Sequence, residues 1–331
     1  MKIISNLIIP ISLLILLSCG NENKPTESKR KAKKEKVFIP EFNADSAYDY
    51  VLKQVEFGPR VPNTEEHKLC AQYLFDKLNT FSDTAQIQHF KTRAYNGQVL
   101  NGKNIIGSFN PDVKNRVMLC AHWDSRPYAD HDADPANHNK AIDGANDGAS
   151  GVGVLLEIAR LLQNNKPNIG IDIVLFDAED FGPPQDSQQR SEDNWWGLGS
   201  QYWAKNPHIN NYNAQYAILL DMVGAEDAKF YYEGYSFDYA SKILKKVWKA
   251  GHKIGYQDYF MFEKIGYIAD DHRYINEIIG IPAIDIIHLD NTSTNRTFFD
   301  HWHTIEDTMD KINRNTLKVV GQTLLTVIFE E

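Results

Sequence analysis

Hydrophobic residues recur along this chain in two patterns. Apolar positions spaced for one side of a helix predict helices over residues 44–55, 65–78, 150–162, 239–247 and 308–329. Short unbroken apolar runs predict strands buried on both faces over residues 117–121, 171–176, 216–220 and 281–287. From residue 41 onward the two kinds of segment alternate.

The alternation predicts an α/β fold. We expect a three-layer αβα arrangement, in which helices cover both faces of a mostly parallel central sheet. Residues 41–331 contain no repeat and no Pro/Gly/Ser-rich linker, so they are predicted to form one domain. Because ligands of such sheets bind outside the carboxyl ends of the strands, polar residues at those ends are the candidate functional groups.

The first residues have the pattern of a targeting segment. After Met1-Lys2, the apolar stretch 7–17 is too short for a membrane-spanning helix and is typical of a secretory signal. Leu16-Leu17-Ser18-Cys19 resembles the lipobox of bacterial lipoproteins. The resemblance implies a signal peptide over 1–18, a lipid anchor on Cys19, and the periplasm or outer membrane of a Gram-negative bacterium. An ordinary signal peptide with a coincidental cysteine is the alternative.

Residues 19–40 are polar and rich in lysine. They lack the apolar surface that folding requires, so we predict a basic, flexible tether. The tether could lie on anionic lipid headgroups or be an ordinary solvated linker.

Composition restricts the function. The chain has 331 residues, of which 42% are apolar and 24% charged, as expected for a folded protein. Its formal net charge is −9, and residues 41–331 carry 27 basic and 41 acidic side chains, which makes nucleic acid an improbable partner. Cys70 and Cys120 could form a disulfide in the periplasm or remain two buried thiols.

Side chains that bind metals follow the predicted strands or precede helices. They are His122, Asp124, Asp147, Asp177, Glu179, Asp180, Asp221 and His303. A single acidic residue at a strand end is commonly a cap, but so many at one edge of a sheet indicate a divalent metal site. Imidazole and carboxylate together favour zinc over calcium. In the Glu179-Asp180 pair, one carboxylate could bind the metal while the other accepts a proton.

The order of these residues resembles that of the zinc-dependent aminopeptidase clan. The similarity covers residues 41–331 and includes His122-x-Asp124-Ser, Asp147-Gly-Ala-Ser-Gly and Glu179-Asp180. It implies the aminopeptidase-like (phosphorylase/hydrolase-like) fold. By the clan's pattern, one zinc would be bound by Asp147, Asp180 and His303, and Glu179 would be the general base. In two-zinc members, His122 and Asp221 would hold a second ion.

Within the clan, four further features resemble glutaminyl-peptide cyclotransferases. They are Asp221-Met-Val-Gly-Ala, Pro184-Gln-Asp-Ser187, Asp270-Asp271-His272 and Trp302-His303-Thr304. The resemblance implies an enzyme with a single zinc that converts the N-terminal glutamine of peptides or proteins to pyroglutamate and releases ammonia. It also implies that Asp221 and Asp270 share a proton across the pocket and that Trp302 forms one pocket wall.

Three positions depart from the animal enzymes. Asp180 stands where they have Glu, and Asp285 stands where they have a histidine in the strand after Gly-x-Pro. The tryptophan expected just before Pro-Gln-Asp-Ser is replaced by Gly182-Pro183, while an insertion supplies Trp195 and Trp196 as candidates for the second pocket wall.

Other interpretations remain open from the sequence. A two-zinc aminopeptidase is the main alternative, and a non-catalytic surface lipoprotein is a second one. The acidic loop from Asp130 to His138 could bind metal, although a solvated lid is the favoured reading. We expect a monomer whose partners are peptides or proteins with N-terminal glutamine.

Overall fold

A six-stranded sheet runs through the centre of the structure. The computed structural model describes residues 37–191 and 193–331. The predicted signal peptide, Cys19 and most of the predicted tether therefore lie outside the described residues. In chain order the strands are β1 (Thr84–Arg93), β2 (Val99–Phe109), β3 (Arg116–His122), β4 (Gly170–Phe176), β5 (Ala217–Asp221), β6 (Phe230–Tyr232), β7 (Phe260–Lys264) and β8 (Ala283–Ile287).

The central sheet has the order β1-β2-β4-β3-β5-β8, and β6 and β7 form a separate pair. The four strands β4, β3, β5 and β8 are parallel, which confirms the predicted mostly parallel sheet. The antiparallel hairpin of β1 and β2 at one edge was not predicted. Its first strand is largely polar and half-exposed, so it lacks the apolar run by which the buried strands are recognised.

Helices cover both faces of this sheet. They are α1 (Ala44–Val55), α2 (Glu65–Phe81), α3 (Ala149–Asn164), α4 (Leu198–Lys205), α5 (Gly234–Lys253), α6 (Asp271–Tyr274) and α7 (Arg314–Phe329). Alternate strand residues belong to different cores: Leu119 shares a core with residues of α1, α3 and α7, whereas Met118 shares the other core with Trp203 of α4. This confirms the three-layer αβα fold.

The structure decides the start of the last helix and the state of the two cysteines. The last helix begins at Arg314, not at residue 308, because Met309–Lys311 form a separate 3₁₀ turn and the Asn313 side chain caps the helix. Cys70 and Cys120 are both unpaired and buried, and they belong to cores on opposite faces of the sheet.

No helix in the described part of the chain is long and apolar enough to cross a membrane.

Candidate metal centre and active site

The candidate residues meet at the carboxyl edge of the parallel strands. β3 ends at His122, β5 ends at Asp221, and the segment from Asp177 to Asp180 directly follows β4. The sequence predicted this edge as the functional one because parallel strands all end there.

Asp147, Asp180 and His303 converge on a common point. His303 Nε2 lies 3.2 Å from Asp180 Oδ1 and 3.5 Å from Asp147 Oδ2, and all three side chains are buried. One donor atom from each lies within 4.8 Å of the other two. Asp147 Oδ2 and Asp180 Oδ2 are buried without a hydrogen-bond partner. Two carboxylates and one imidazole with unpaired oxygens fit a zinc ion with an open coordination position.

The loop that carries Asp147 is held by a buried carboxylate. Asp307 accepts the backbone N–H of Asn146 at 2.8 Å and that of Asp147 at 3.0 Å. Gly148 follows with φ +94°, and a Cβ at this glycine would lie 2.6 Å from the Asp124 carbonyl oxygen. Only glycine fits this position. Burial and the Asp147 carboxylate raise the pKa of Asp307 to about 7.

A second carboxylate shapes the turn after β4. Asp124 is fully buried and accepts the backbone N–H of Glu179 at 3.0 Å and that of Asp180 at 3.2 Å. Ala178, just before this pair, has a φ of +55°, a costly conformation for a residue with a side chain. In this turn Asp180 joins the three-residue cluster, while Glu179 lines the adjoining pocket.

The environment of Glu179 favours its protonated form. Burial and the nearby Asp270 carboxylate raise the pKa of Glu179 well above its usual range, although His122 opposes the shift. Asp221 behaves similarly, since burial and Asp270 raise its pKa to about 7 against the hydrogen bond with His122. A carboxylate with a raised pKa can both accept and return a proton near neutral pH.

His122 forms a second cluster with two of the acidic groups. Its Nε2 lies 3.1 Å from Asp147 Oδ1 and 3.3 Å from Asp221 Oδ1, and these three residues also offer ligand atoms within 4.8 Å of one another. The edge of the sheet could therefore hold two adjacent cations with Asp147 between them.

Aromatic side chains form the wall of the pocket. Trp302 stacks on His303 at a centroid distance of 3.7 Å, and Trp196 lies parallel to the same imidazole at 6.4 Å. Phe298 packs on Trp302 at 4.5 Å and was not predicted. Of the two inserted tryptophans only Trp196 lines the pocket, which encloses about 250 Å³; Trp195 lies in the preceding 3₁₀ turn.

The glycine that replaces the expected tryptophan makes room for the insertion. A Cβ at Gly182 would lie only 2.4 Å from the Trp196 ring. The indole of Trp196 thus covers the backbone at the position where a larger side chain was expected.

Asp270 belongs to a buried group beneath the pocket. Asp270, His272 and Asp285 also offer ligand atoms within 4.8 Å of one another. His272 Nε2 lies 2.9 Å from Glu233 Oε2. Burial would raise the pKa of Glu233, but His272 and the N–H groups of Ser236 and Ile268 lower it to about 2. This group connects the pocket residue Asp270 to the first turn of α5, which Glu233 caps.

The start of the acidic loop is not solvated. Asp130 is buried and accepts both Nε–H and Nη2–H of Arg126, at 2.8 and 2.7 Å. The backbone N–H of His131 donates to the His303 carbonyl, and Asp132 accepts the N–H of Ile305. The loop therefore braces the segment that carries His303, and the favoured reading of a solvated lid is wrong for Asp130.

Sequence reasoning missed Arg126 and Asp307, and it named Asp130 only as part of the acidic loop and not as a supporting residue. A buried carboxylate that accepts backbone N–H groups looks the same in a sequence as an exposed one. No signal short of the tertiary contacts identifies them.

The sequence and fold of this chain are similar to those of known proteins. The sequence model of peptidase family M28 matches residues 104–328 of this chain. A glutaminyl cyclase from Bacteroides thetaiotaomicron, solved with N-acetylhistamine, is 53% identical, with a TM-score of 0.87 over 89% of this chain and 100% of that one. A Zn-dependent exopeptidase from Parabacteroides distasonis is 51% identical, with a TM-score of 0.87 over 89% of this chain and 100% of that one.

A curated relative extends the similarity to animals. The glutaminyl-peptide cyclotransferase of Bos taurus is 24% identical over 259 residues, which cover 69% of this chain. The match spans 65% of the bovine protein's length.

Proposed function

We propose that this chain, which belongs to peptidase family M28, is a zinc-dependent glutaminyl-peptide cyclotransferase. It would convert an N-terminal glutamine to pyroglutamate and release ammonia. The observation that carries the proposal is the convergence of Asp147, Asp180 and His303 beside Glu179, which lies outside this cluster, in a pocket with aromatic walls. The 53% identity to a bacterial glutaminyl cyclase over the full length of that chain supports it.

The reaction is intramolecular, so the pocket mainly has to hold one conformer of the substrate. The α-amine of the glutamine attacks its own side-chain amide carbon; a new C–N bond closes the lactam and the original amide C–N bond breaks. Trp302 and Trp196 would enclose the glutaminyl chain. Asp147, Asp180 and His303 would hold a zinc ion, which would supply Lewis acidity toward the amide carbonyl.

Glu179 would move the proton. It takes one from the attacking amine and returns it to the leaving nitrogen, so the same side chain acts first as base and then as acid. Asp221 and Asp270 also line the pocket. Because two close carboxylates repel unless they share a proton, they would form a singly protonated pair that orients the amide.

A single zinc per chain is part of this proposal. The cluster of His122, Asp147 and Asp221 specifically favours a second candidate function, a two-zinc aminopeptidase. The related protein from Parabacteroides distasonis is a Zn-dependent exopeptidase, which supports the hydrolytic reaction of this alternative but says nothing of the number of zinc ions.

One experiment separates the two functions. A Gln-initiated peptide is incubated with the purified protein and followed by mass spectrometry. Cyclisation predicts a loss of about 17 Da as ammonia leaves, with no residue removed. Release of free glutamine would identify the aminopeptidase. Turnover of Gln-β-naphthylamide compared with Leu-p-nitroanilide gives an independent comparison.

We also propose the domain division indicated by the sequence: signal peptide 1–18, tether 19–40 and enzyme 41–331. The enzyme would be a monomer in the periplasm or at the outer membrane of a Gram-negative bacterium, anchored by a lipid on Cys19. The lipobox-like Leu16-Leu17-Ser18-Cys19 supports the anchor. If it is correct, a Cys19→Ala variant expressed in a Gram-negative host leaves the membrane fraction, whereas the unaltered chain stays there. Retention of the variant would contradict it. The molar mass of the purified protein in solution tests the monomer.

A further inference from the structure

Arg126 is a buried cation beside the candidate metal centre. It follows the end of β3 (His122), and only 1% of its surface is exposed. Burying a guanidinium costs several kcal/mol unless its donors are paired. Here they are: the side chain donates to the Asp130 carboxylate, the Asp180 carboxylate, and the backbone carbonyls of Asp180, Gly182 and Pro183.

One end of this arrangement reaches His303. Nε and Nη2 of Arg126 donate to the two oxygens of Asp130, a bidentate pair that fixes the carboxylate in orientation. Asp130 also accepts the backbone N–H of Gln185 at 2.8 Å. Its Oδ1 lies 3.5 Å from Nδ1 of His303. At this distance the contact is electrostatic, since Nδ1 forms no hydrogen bond within the described part of the chain. A carboxylate beside Nδ1 favours a proton on that atom, which leaves the Nε2 lone pair on the side of Asp147 and Asp180.

The other end reaches Asp180 and the pocket wall. Nη1 of Arg126 donates to the Asp180 carbonyl at 3.2 Å and lies 3.4 Å from Asp180 Oδ1. The guanidinium carbon is 5.0 Å from the centre of the Trp196 ring, within range of a cation–π interaction. Trp196 directly follows a short 3₁₀ turn (Asp193–Trp195), and the described residues on either side of this turn contribute no strand before α4 begins at Leu198.

We propose that Arg126 is a positioning residue that couples the metal centre to the substrate pocket. One planar cation orients His303 through Asp130, holds Asp180 directly, and fixes the indole of Trp196. The role assigned to the pocket rests on the proposed function, but the two couplings are properties of the folded protein and can be measured without substrate. Lysine cannot replace Arg126, because an ammonium lacks the planar fork and the stacking face.

The test compares Arg126→Lys and Arg126→Met with a matched control, Arg160→Met. Arg160 makes the same bidentate contact with Glu157, at 2.7 and 2.8 Å, but touches none of the pocket residues. Zinc affinity is measured by competition with a chromophoric chelator. Solvent exposure of Trp196 is measured by acrylamide quenching of its fluorescence. The Trp196 signal is obtained as the difference between each protein and the same protein carrying Trp196→Phe. Melting temperature and circular dichroism identify the folded variants.

Both Arg126 variants are expected to bind zinc ~10–100-fold more weakly, the usual effect of losing an outer partner of a metal-binding histidine. Both should also show stronger quenching of Trp196, while the Arg160 variant changes neither quantity. Asp130→Asn should weaken zinc binding through His303 alone. Adding Arg126→Lys to it should weaken zinc binding further, because Arg126 also holds Asp180 directly.

Zinc affinity within twofold of wild type in folded Arg126→Lys and Asp130→Asn would overturn the proposal. A change in zinc affinity without a change in Trp196 quenching would overturn the coupling. If the wild-type protein binds zinc but does not cyclise glutamine, the proposed function fails while these measurements still decide the role of Arg126.

Discussion

Nε2 of His303 lies 3.2 Å from Oδ1 of Asp180, although Asp180 follows β4 and His303 lies in the segment between β8 and α7. The contact forms only if three parts of the fold are correctly placed relative to one another. They are the carboxyl edge of the sheet, the turn held by Asp124 and the segment that carries His303. With Asp147 only 3.5 Å from the same nitrogen, the arrangement concentrates two carboxylates in a buried space. A bound cation would relieve their repulsion.

Replacing Glu179 by Gln should abolish turnover and leave metal binding intact. Glutamine keeps the shape of the side chain but cannot accept the proton of the attacking amine. We expect kcat to fall at least ~100-fold, the lower range for loss of a general base. Ammonia release and zinc content are measured on the same preparation. Normal turnover by this variant would show that Glu179 is not the base.

Metal removal should inactivate and destabilise the protein. A chelator is expected to abolish cyclisation and lower the melting temperature, because zinc binds only the folded chain, and added zinc should restore both. Elemental analysis of the reloaded protein should find one zinc per chain.

Two variants locate that ion. His303→Ala should lose it, whereas His122→Gln should keep it, because His122 belongs to the other cluster. Two zinc ions in the wild type and one in His122→Gln would instead support the aminopeptidase.

The tryptophans of the insertion should differ in effect. Trp196 and Trp302 line the pocket, so replacing either by Ala should raise KM for a Gln-initiated peptide ~10-fold, equivalent to about 1.4 kcal/mol of lost binding. Trp195→Ala provides the matched control in the same insertion and should leave KM near that of wild type. An equal rise in KM for Trp195→Ala would show that the wall extends beyond the lining seen here.

The Glu233–His272 pair should make stability depend on pH in acid. The pKa of Glu233 is lowered from 4.5 to about 2, so its contribution to folding is complete above pH 4.5 and disappears as the pH falls toward 2. By linkage the contribution is about 3 kcal/mol. Urea unfolding at several pH values should show Glu233→Gln less stable than wild type at pH 7, with the difference shrinking below pH 4.5. A difference that stays constant down to pH 2.5 would argue against the lowered pKa.

The fold was largely predictable because its determinants are local. The apolar run 117–121 identifies β3, and helical spacing identifies α1 with its observed bounds. The polar strand β1 was missed, because its pairing with β2 depends on the partner and not on its own pattern.

The amino-acid sequence by itself indicated a mostly parallel sheet whose parallel strands end at one edge, with Asp147, Asp180 and His303 at that edge. Periodicity and strand direction depend on neighbours in the chain, so they can be read without coordinates. Only the tertiary structure decided that Trp196 and not Trp195 faces the pocket, and that Arg126, Asp130 and Asp307 hold the site in place. These outcomes depend on tertiary contacts between loops. The sequence does not distinguish a buried side chain with all its hydrogen bonds made from the same residue exposed to solvent.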